Sequence, residues 1–433
     1  MNGAASASTP LRVRVPRALR EFAAVPVGVV LGLLVLAGVS IAGDQAHGHA
    51  VTALREWLGH FIGKQSATDT LGAVAGGLVT VTSITFSVLL LAVQQTASNL
   101  SPVVFDQFVR RRANQLYLGL FVGLALYSYV VLAAVQPSTP PIIGAFLATV
   151  LTVVALACLL FLVYSTIDQM RPDNVMRQLH DRAVAAHQRE SRIIAATRRG
   201  SISSAPVAAE VRSQTYGYVE SVDLERVVAA LGTRTDAEVE LHLTIGAPVV
   251  FDELLASVRH HDSVEAEAIR AQTARAITLS KSPDIDLDPS AAIRDISNIG
   301  WTSGSTSKQN PAIAAQALHA LRDLAARWIE EDRIGSNPHP VVYPDDDLPT
   351  VIDGLYSAMV VAHESHQHQQ AARVLQAYES LLERAQGAVR ERLVSDLDVM
   401  APLLAQLPPA PALDRARRAV EIRRVVSPAE LQQ

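Results

Sequence analysis

Four long runs of the chain, about 25–43, 72–95, 116–135 and 142–164, contain no Asp, Glu, Lys, Arg or His. Each is 19 to 24 residues long. At about 1.5 Å of rise per residue they reach about 28–36 Å, enough to cross a hydrocarbon core of about 30 Å. Only helices and closed barrels satisfy their backbone groups in lipid, and unbroken runs of this length predict four transmembrane helices. The first run has a competing reading as a secretory signal, because AHGHA at 46–50 resembles a small-residue cleavage site. Its apolar stretch is longer than the usual h-region of about 7–15 residues, which favours a span.

The second run differs from a plain anchor. Thr80, Ser83, Ser87, Gln94 and Ser98 follow one another at steps of three and four, with Leu91 interrupting, and so form one stripe along a helix that continues past the membrane face. Such a stripe predicts a partner. One reading is hydrogen bonding within the helix or to a neighbouring helix. The other is that an oligomer turns this face inward to line a water-filled pathway, with Gln94 and Gln95 near its inner mouth. Gly28 and Gly32, Gly72 and Gly76, and Gly119 and Gly123 stand at GxxxG spacing and predict close helix packing.

After the fourth run the period changes twice. Residues 165–209 read as a helix leaving the membrane, restarted at Pro172 and Asp173, followed by a linker at SISSAPVAA. From 210 to about 256, YGYVESV and AEVELHLTIGAPVVF alternate with a two-residue period and predict a small β-rich unit. Its pattern is similar to lipoyl and biotinyl carriers, yet residues 210–256 hold no lysine to carry a prosthetic group. Residues 257–407 read as helical, with amphipathic stretches at 262–280, 311–332 and 366–385 and a turn-rich connector at 337–349. A basic tail, 408–433, closes the chain. The fold class predicted is an α-helical membrane protein with four spans and a cytosolic α+β domain.

Composition agrees. Of 433 residues, 49% are apolar and 18% charged, and the mean hydropathy is +0.22, too apolar for a disordered chain. Residues 1–164 carry nine Lys/Arg against five Asp/Glu, which leaves 28 against 37 for the remainder. The basic front, residues 1–24 in particular, suits anionic lipid, and the acidic rear argues against nucleic acid as a partner. Basic residues resist translocation. Arg12, Arg14, Arg17 and Arg20 precede the first run, Arg110, Arg111 and Arg112 lie between the second and third, and Arg171, Arg177 and Arg182 follow the fourth. The opposite side has only Arg55 and Lys64. Both termini are therefore expected in the cytoplasm, with a solvated loop at 44–71 and a tight QPSTPP turn outside. Asp106 and the Arg110–Arg112 triplet fall at the expected inner mouth.

The sequence carries few chemical motifs. Cys158 is the single cysteine and lies in an apolar run, so no intramolecular disulfide or cysteine zinc site exists. No GxxxxGK[ST], GxGxxG or GxSxG occurs. His47, His49 and His60 read as solvated, and His363–Glu364–Ser365–His366 reads as a turn between helices, since HESH is not the HExxH spacing of zinc hydrolases. The polar run GWTSGSTSKQNP at 300–311 is the conspicuous loop of the rear half. No cofactor, metal or enzymatic activity is expected.

The run GGLVTVTSITFSVLLLAVQQTASNLSPVVFDQFVRRRANQLYLGLFVGLALYSYVVL, the YGYVESVD strand and LSKSPDIDLDPSAAIRDISNIGWTSGSTSKQNP together resemble the bacterial predicted membrane proteins of domain of unknown function 2254. The likeness runs from about 20 to 405, and its most specific pieces are Gln94, Ser98, Ser101, Pro102 and the Asn114–Gln115 pair. Val163 and Tyr164 depart from the paired histidines of other members. The resemblance implies four spans in the cytoplasmic membrane and a large cytosolic domain, without an activity. The function expected is a homo-oligomeric channel or pore lined by the second span and regulated by the cytosolic domain, through a protein or small molecule not identified. The alternative is a membrane-anchored sensory or interaction protein.

Overall fold

The computed structural model describes residues 17–425 except 47, 62–63, 100–111, 136–139, 170, 233, 235, 282–286, 306–310 and 332–337. The chain divides into two compact units, residues 1–171 and 172–433.

In the first unit the apolar runs are helical: α1 (Arg17–Gln45), α3 (Lys64–Asn99), α4 (Arg112–Ala133) and α5 (Ile142–Gln169). Each contains a window long and apolar enough to cross a membrane. With 36 residues, α3 is about 54 Å long, more than a hydrocarbon core requires. The core is built from Leu33, Ala37, Leu71, Leu78, Phe121, Leu124, Tyr127 and Ala148, one stripe from each helix. α4 packs against α1 through its glycines. A Cβ at Gly119 would stand 2.9 Å from the Pro26 Cα, and one at Gly123 would stand 2.7 Å from a Leu33 methyl. Gly28, Gly32, Gly72 and Gly76 have nothing within 4 Å of a Cβ, so of the three GxxxG pairs only that of α4 closes a helix contact inside this chain.

The 44–71 segment, expected as a solvated loop, is mostly helix: α2 (His49–Gly59) lies between α1 and the start of α3 at Lys64. Leu58 is buried, while Leu54, Trp57 and Phe61 are exposed. Trp57 packs edge-on to Phe61, and Phe61 against Phe146 of α5. The apolar and aromatic face of HAVTALREWLG suits a helix lying at a membrane boundary, a pattern too short to read as a span.

The second unit starts with α6 (Pro172–Ala196). Then come β1 (Val207–Arg212), β2 (Gly217–Val222), α7 (Leu224–Leu231), β3 (Glu238–Leu241), β4 (Pro248–Val249) and β5 (Leu254–Arg259). α8 (Ser263–Ala276), β6 (Ile277–Ser280), α9 (Pro289–Gly304), α10 (Pro311–Glu331), β7 (Val341–Val342), α11 (Asp347–Glu364), α12 (His368–Leu382), α13 (Gly387–Gln406) and α14 (Pro411–Val425) complete it. One sheet has the order β1-β5-β3-β7, with Val211 and Leu241 both opposite Ala256 and β7 parallel to β3. The other has the order β4-β2-β6. The two enclose Val219, Val239, Leu241, Val258, Ile269 and Tyr343.

Two strands therefore come from beyond residue 256. The stretch 262–280, expected as one helix, is helix only to Ala276; ITLS turns extended and pairs with β2. Thr278 and Ile277 are β-branched and the sheet edge offers a partner, which outweighs the helical period. The 300–311 run, expected as a loop, is helix over residues 300–304, which finish α9, and residues 306–310 lie outside the described residues. The turn-rich connector contributes β7, and the basic tail is α14 from Pro411 to Val425. α9 packs on α6, α10 and α11, and α12 packs on α14.

Candidate functional site

Three polar features of the structure bear on function. The first is the α3 stripe. Ala67, Leu71, Ala75 and Leu78 form the buried face of α3. At about 100° per residue, Thr80, Ser83, Ser87 and Gln94 sit about 150° round the helix from that face, and all four are exposed. The stripe thus points away from the chain's own bundle. Thr80 Oγ1 donates to the Gly76 carbonyl at 3.0 Å and Ser87 Oγ to the Ser83 carbonyl at 2.8 Å, so these hydroxyls are satisfied within the helix. Arg112 opens α4 and is exposed. The side chains of Gln95 and Ser98, and Asp106, Arg110 and Arg111 entirely, lie outside the described residues.

The second feature is Asp44, which follows directly on the first apolar run and is 4% exposed. Its Oδ1 accepts from the Ile143 N–H at 2.9 Å and its Oδ2 from the Gly144 N–H at 3.0 Å, so it caps the N-terminus of α5. Arg55 donates to the Gly43 and Ala46 carbonyls at 3.1 and 3.0 Å. The Tyr127 hydroxyl donates to the Gly144 carbonyl at 3.1 Å and stands 3.2 Å from the Ser40 hydroxyl. A Cβ at Gly144 would meet Val131 at 2.6 Å, so only glycine lets α5 come this close. The cluster ties α1, α2, α4 and α5 together at one end of the bundle. An aspartate abutting a glycine at the end of an apolar run is a visible signal, but its partner is about a hundred residues away.

The third feature is a buried ionisable cluster in the second unit, which sequence reasoning missed. His187 and Glu190 of α6 lie on its buried face with Val175, Leu179, Ala183 and Ala186. His187 Nδ1 is 2.7 Å from Asp347 Oδ2, its Nε2 is 3.0 Å from Glu331 Oε2, and its ring lies 4.4 Å from that of Trp328. Ser290 Oγ donates to the other Asp347 oxygen at 3.2 Å. The Tyr343 hydroxyl donates to Glu190 Oε1 and accepts from the Ile245 N–H at 3.1 Å. Arg199 donates to Asp345 at 3.1 Å, and Arg294 to Asp288 at 3.0 Å. Gly246, at φ +87°, lies against Asp288, where a Cβ would come within 2.3 Å of the aspartate's own Cβ. The cluster thus joins α6, the β3–β4 turn, the N-termini of α9 and α11, and the end of α10.

Burial, with the charge of Asp347 adding to it, raises the Glu190 pKa to about 8. Burial lowers that of His187, but the hydrogen bond and charge of Asp347, with Glu331 and Asp345, leave it raised overall. Burial raises Asp345 and Asp288, and it raises Tyr343 well above the ordinary phenol value. The signal in the sequence was present: His187 and Glu190 occupy core positions of an amphipathic period, and Asp345–Asp346–Asp347 opens a helix.

Among the described residues no group of three or more His, Cys, Asp and Glu is arranged to hold a metal ion. His363 and His366 flank the α11–α12 turn, and His363 Nε2 is 3.2 Å from Gln406 Oε1.

A family model described as predicted membrane protein (DUF2254) matches residues 20–383, most of the chain and both units. The chain belongs to this family. No curated protein and no solved structure matches it. The match takes in α1 to α12, and so includes the α3 stripe, the Asp44 cap and the ionisable cluster. Asn114 and Gln115, among the most specific pieces of the likeness, are buried at the start of α4. The DUF2254 description names a membrane protein and no activity, which agrees with four candidate spans.

Proposed function

We propose that the protein is a homo-oligomeric ion channel or pore of the cytoplasmic membrane, lined by α3 and regulated by the second unit. The observation that carries this reading is the outward aim of the α3 stripe. Among the described residues, Ser83 and Gln94 are exposed on the side of α3 opposite its buried face, and polar groups facing lipid are costly unless another chain or water covers them. Gly72, Gly76 and Gly77 lie on the same open side, which lets a second copy approach. Arg110, Arg111 and Arg112 would make the inner mouth favour anions. The excess of arginine beside the inner ends supports a cytoplasmic second unit and cytoplasmic termini. In this reading lipid and a second copy of the chain are the partners, and the protein has no enzymatic role.

Single-particle imaging of the detergent-purified protein, followed by planar-bilayer recording, tests the reading. A symmetric ring with Ser83, Ser87 and Gln94 facing a continuous axial opening, and conductance lost in Ser87→Leu/Gln94→Leu protein of unchanged fold, is the expected result. A monomer, or an axis filled by apolar side chains, overturns it.

A second reading, a membrane-anchored interaction protein, has its own observation. Thr80 and Ser87 already bond their own backbone, which lowers the cost of lipid contact. It predicts no flux from the wild-type protein.

A further inference from the structure

We propose that the buried cluster of Glu190, His187, Tyr343 and Asp347 is a proton-operated latch. Protonated, it holds α6 against the β3–β4 turn and the N-terminus of α11; deprotonated, it lets α6 go. The inference rests on the reading above, in which the second unit regulates the spans, and names the signal.

The geometry carries it. α6 follows the last candidate span, α5, across only residues 170–171, so whatever fixes or frees α6 acts on the segment joined to the membrane. The side of α6 that bears the cluster is closed off: Glu190 is 3% exposed, His187 5%, Asp347 5% and Tyr343 2%. Charges meet there from every packed element. α6 supplies His187 and Glu190, and Arg199 follows it. α10 supplies Glu331, with Trp328 stacked on His187. The connector and the start of α11 supply Tyr343, Asp345, Asp346 and Asp347. α9 and its cap supply Ser290, Arg294 and Asp288. The β3–β4 turn supplies the Ile245 N–H. For Glu190, burial and the neighbouring Asp347 oppose the ionised form more strongly than the Tyr343 hydroxyl, His187 and the Ile245 N–H favour it.

The direction of the response follows from the shifts. Glu190, His187, Asp345, Asp346 and Asp288 are all raised, so the closed cluster binds more protons than the open one. For Glu190 the closed state is favoured below its ordinary value of 4.5 and loses ground as pH rises, until the closed-state carboxyl itself ionises near 8. His187 adds a loss in the same sense above the ordinary histidine value. Raising pH therefore opens the latch.

The test is hydrogen–deuterium exchange of α6 in the full-length, detergent-purified protein between pH 5.5 and 9, corrected for the intrinsic exchange rate. In wild type the opening constant of the α6 amides is expected to rise with pH and to flatten above about 8. Glu190→Gln keeps the acceptor for Tyr343 and removes one titrating proton. Its slope between pH 5.5 and 7.5 is therefore expected to be shallower by up to about tenfold per pH unit. Tyr343→Phe, by contrast, should leave the slope between pH 5.5 and 7.5 as in wild type, because its hydroxyl acts on the ionised carboxylate, which forms in the closed state only near pH 8. An independent measurement on unmutated protein is the infrared band of protonated carboxylic acid, a component of which should vanish near pH 8. Equal slopes in wild type and Glu190→Gln, or no protonated carboxyl at pH 7, overturn the proposal. No ion gradient is present in these experiments, so their outcome is independent of the flux measurement that tests the pore.

Discussion

Two glycine pairs in the membrane unit make opposite predictions. Gly123 of α4 is closed in: an added methyl would stand 2.7 Å from a Leu33 methyl and 3.1 Å from the Val30 Cα. Gly76 of α3 has nothing within 4 Å. Gly123→Ala therefore forces α1 and α4 apart. Overpacking of this kind costs about 1–3 kcal/mol, against which the better helix propensity of alanine returns under about 1 kcal/mol. For a unit of this size, each kcal/mol moves the midpoint by about 2–4 °C, so a fall of several degrees is expected. A Cβ at Gly76 meets no described atom and the position is exposed, so Gly76→Leu should change the melting of the bundle by no more than about 0.5 kcal/mol. Its effect is reserved for the oligomer, because a leucine there occupies the space a second copy would enter. The assay is differential scanning fluorimetry paired with light-scattering mass in the same detergent. Gly123→Ala should lower the midpoint, and Gly76→Leu should lower the mass at an unchanged midpoint. If Gly76→Leu keeps both the mass and the midpoint of wild type, the open face of α3 is a lipid face and the assembly proposed through it is refuted.

Asp44→Ala leaves the Ile143 and Gly144 N–H groups unpaired at the start of α5, which should cost about 2–3 kcal/mol, read as a lower melting temperature with the second unit's transition unmoved. Gly246→Ala should destabilise the second unit by about 2–4 kcal/mol, since φ is +87° and Asp288 fills the space a Cβ needs; chemical denaturation followed by Trp328 fluorescence reads it. Glu190→Gln should stabilise the second unit at pH 7 by up to about 3 kcal/mol. Holding a proton on a group whose ordinary value is 4.5 costs 1.36 kcal/mol for each pH unit above it, and that gain should vanish near pH 4.5. Gln94→Leu should abolish ion flux while leaving the fold intact, measured in planar bilayers.

The local pattern was enough to determine the membrane half in outline. Uncharged runs of about twenty residues are long enough to cross a hydrocarbon core as helices, so four candidate spans follow from length and composition without reference to neighbours, and the polar stripe of α3 follows from spacing alone. Which way that stripe points does not, because rotation of a helix is decided by what it packs against. Ala67, Leu71, Ala75 and Leu78 form the face that the bundle buries, but a polar stripe in a spanning helix can equally line the inside of its own bundle, so only the packing decides that it lies outward. Likewise Gly72–Gly76 and Gly119–Gly123 are the same motif, and tertiary contact alone separates the pair that closes on α1 from the pair left open.

In the second unit, amphipathic periods located most helices, but β6 and β7 are four and two residues long and exist because β2 and β3 offer edges far away in sequence. The ionisable cluster is the extreme case. His187, Glu190, Ser290, Glu331, Tyr343 and Asp347 span 160 residues, and although His187 and Glu190 fall on an apolar period, nothing local says which groups meet them. A pKa shift depends on burial and on neighbouring charge, both of which are properties of the folded arrangement, so no sequence window contains it.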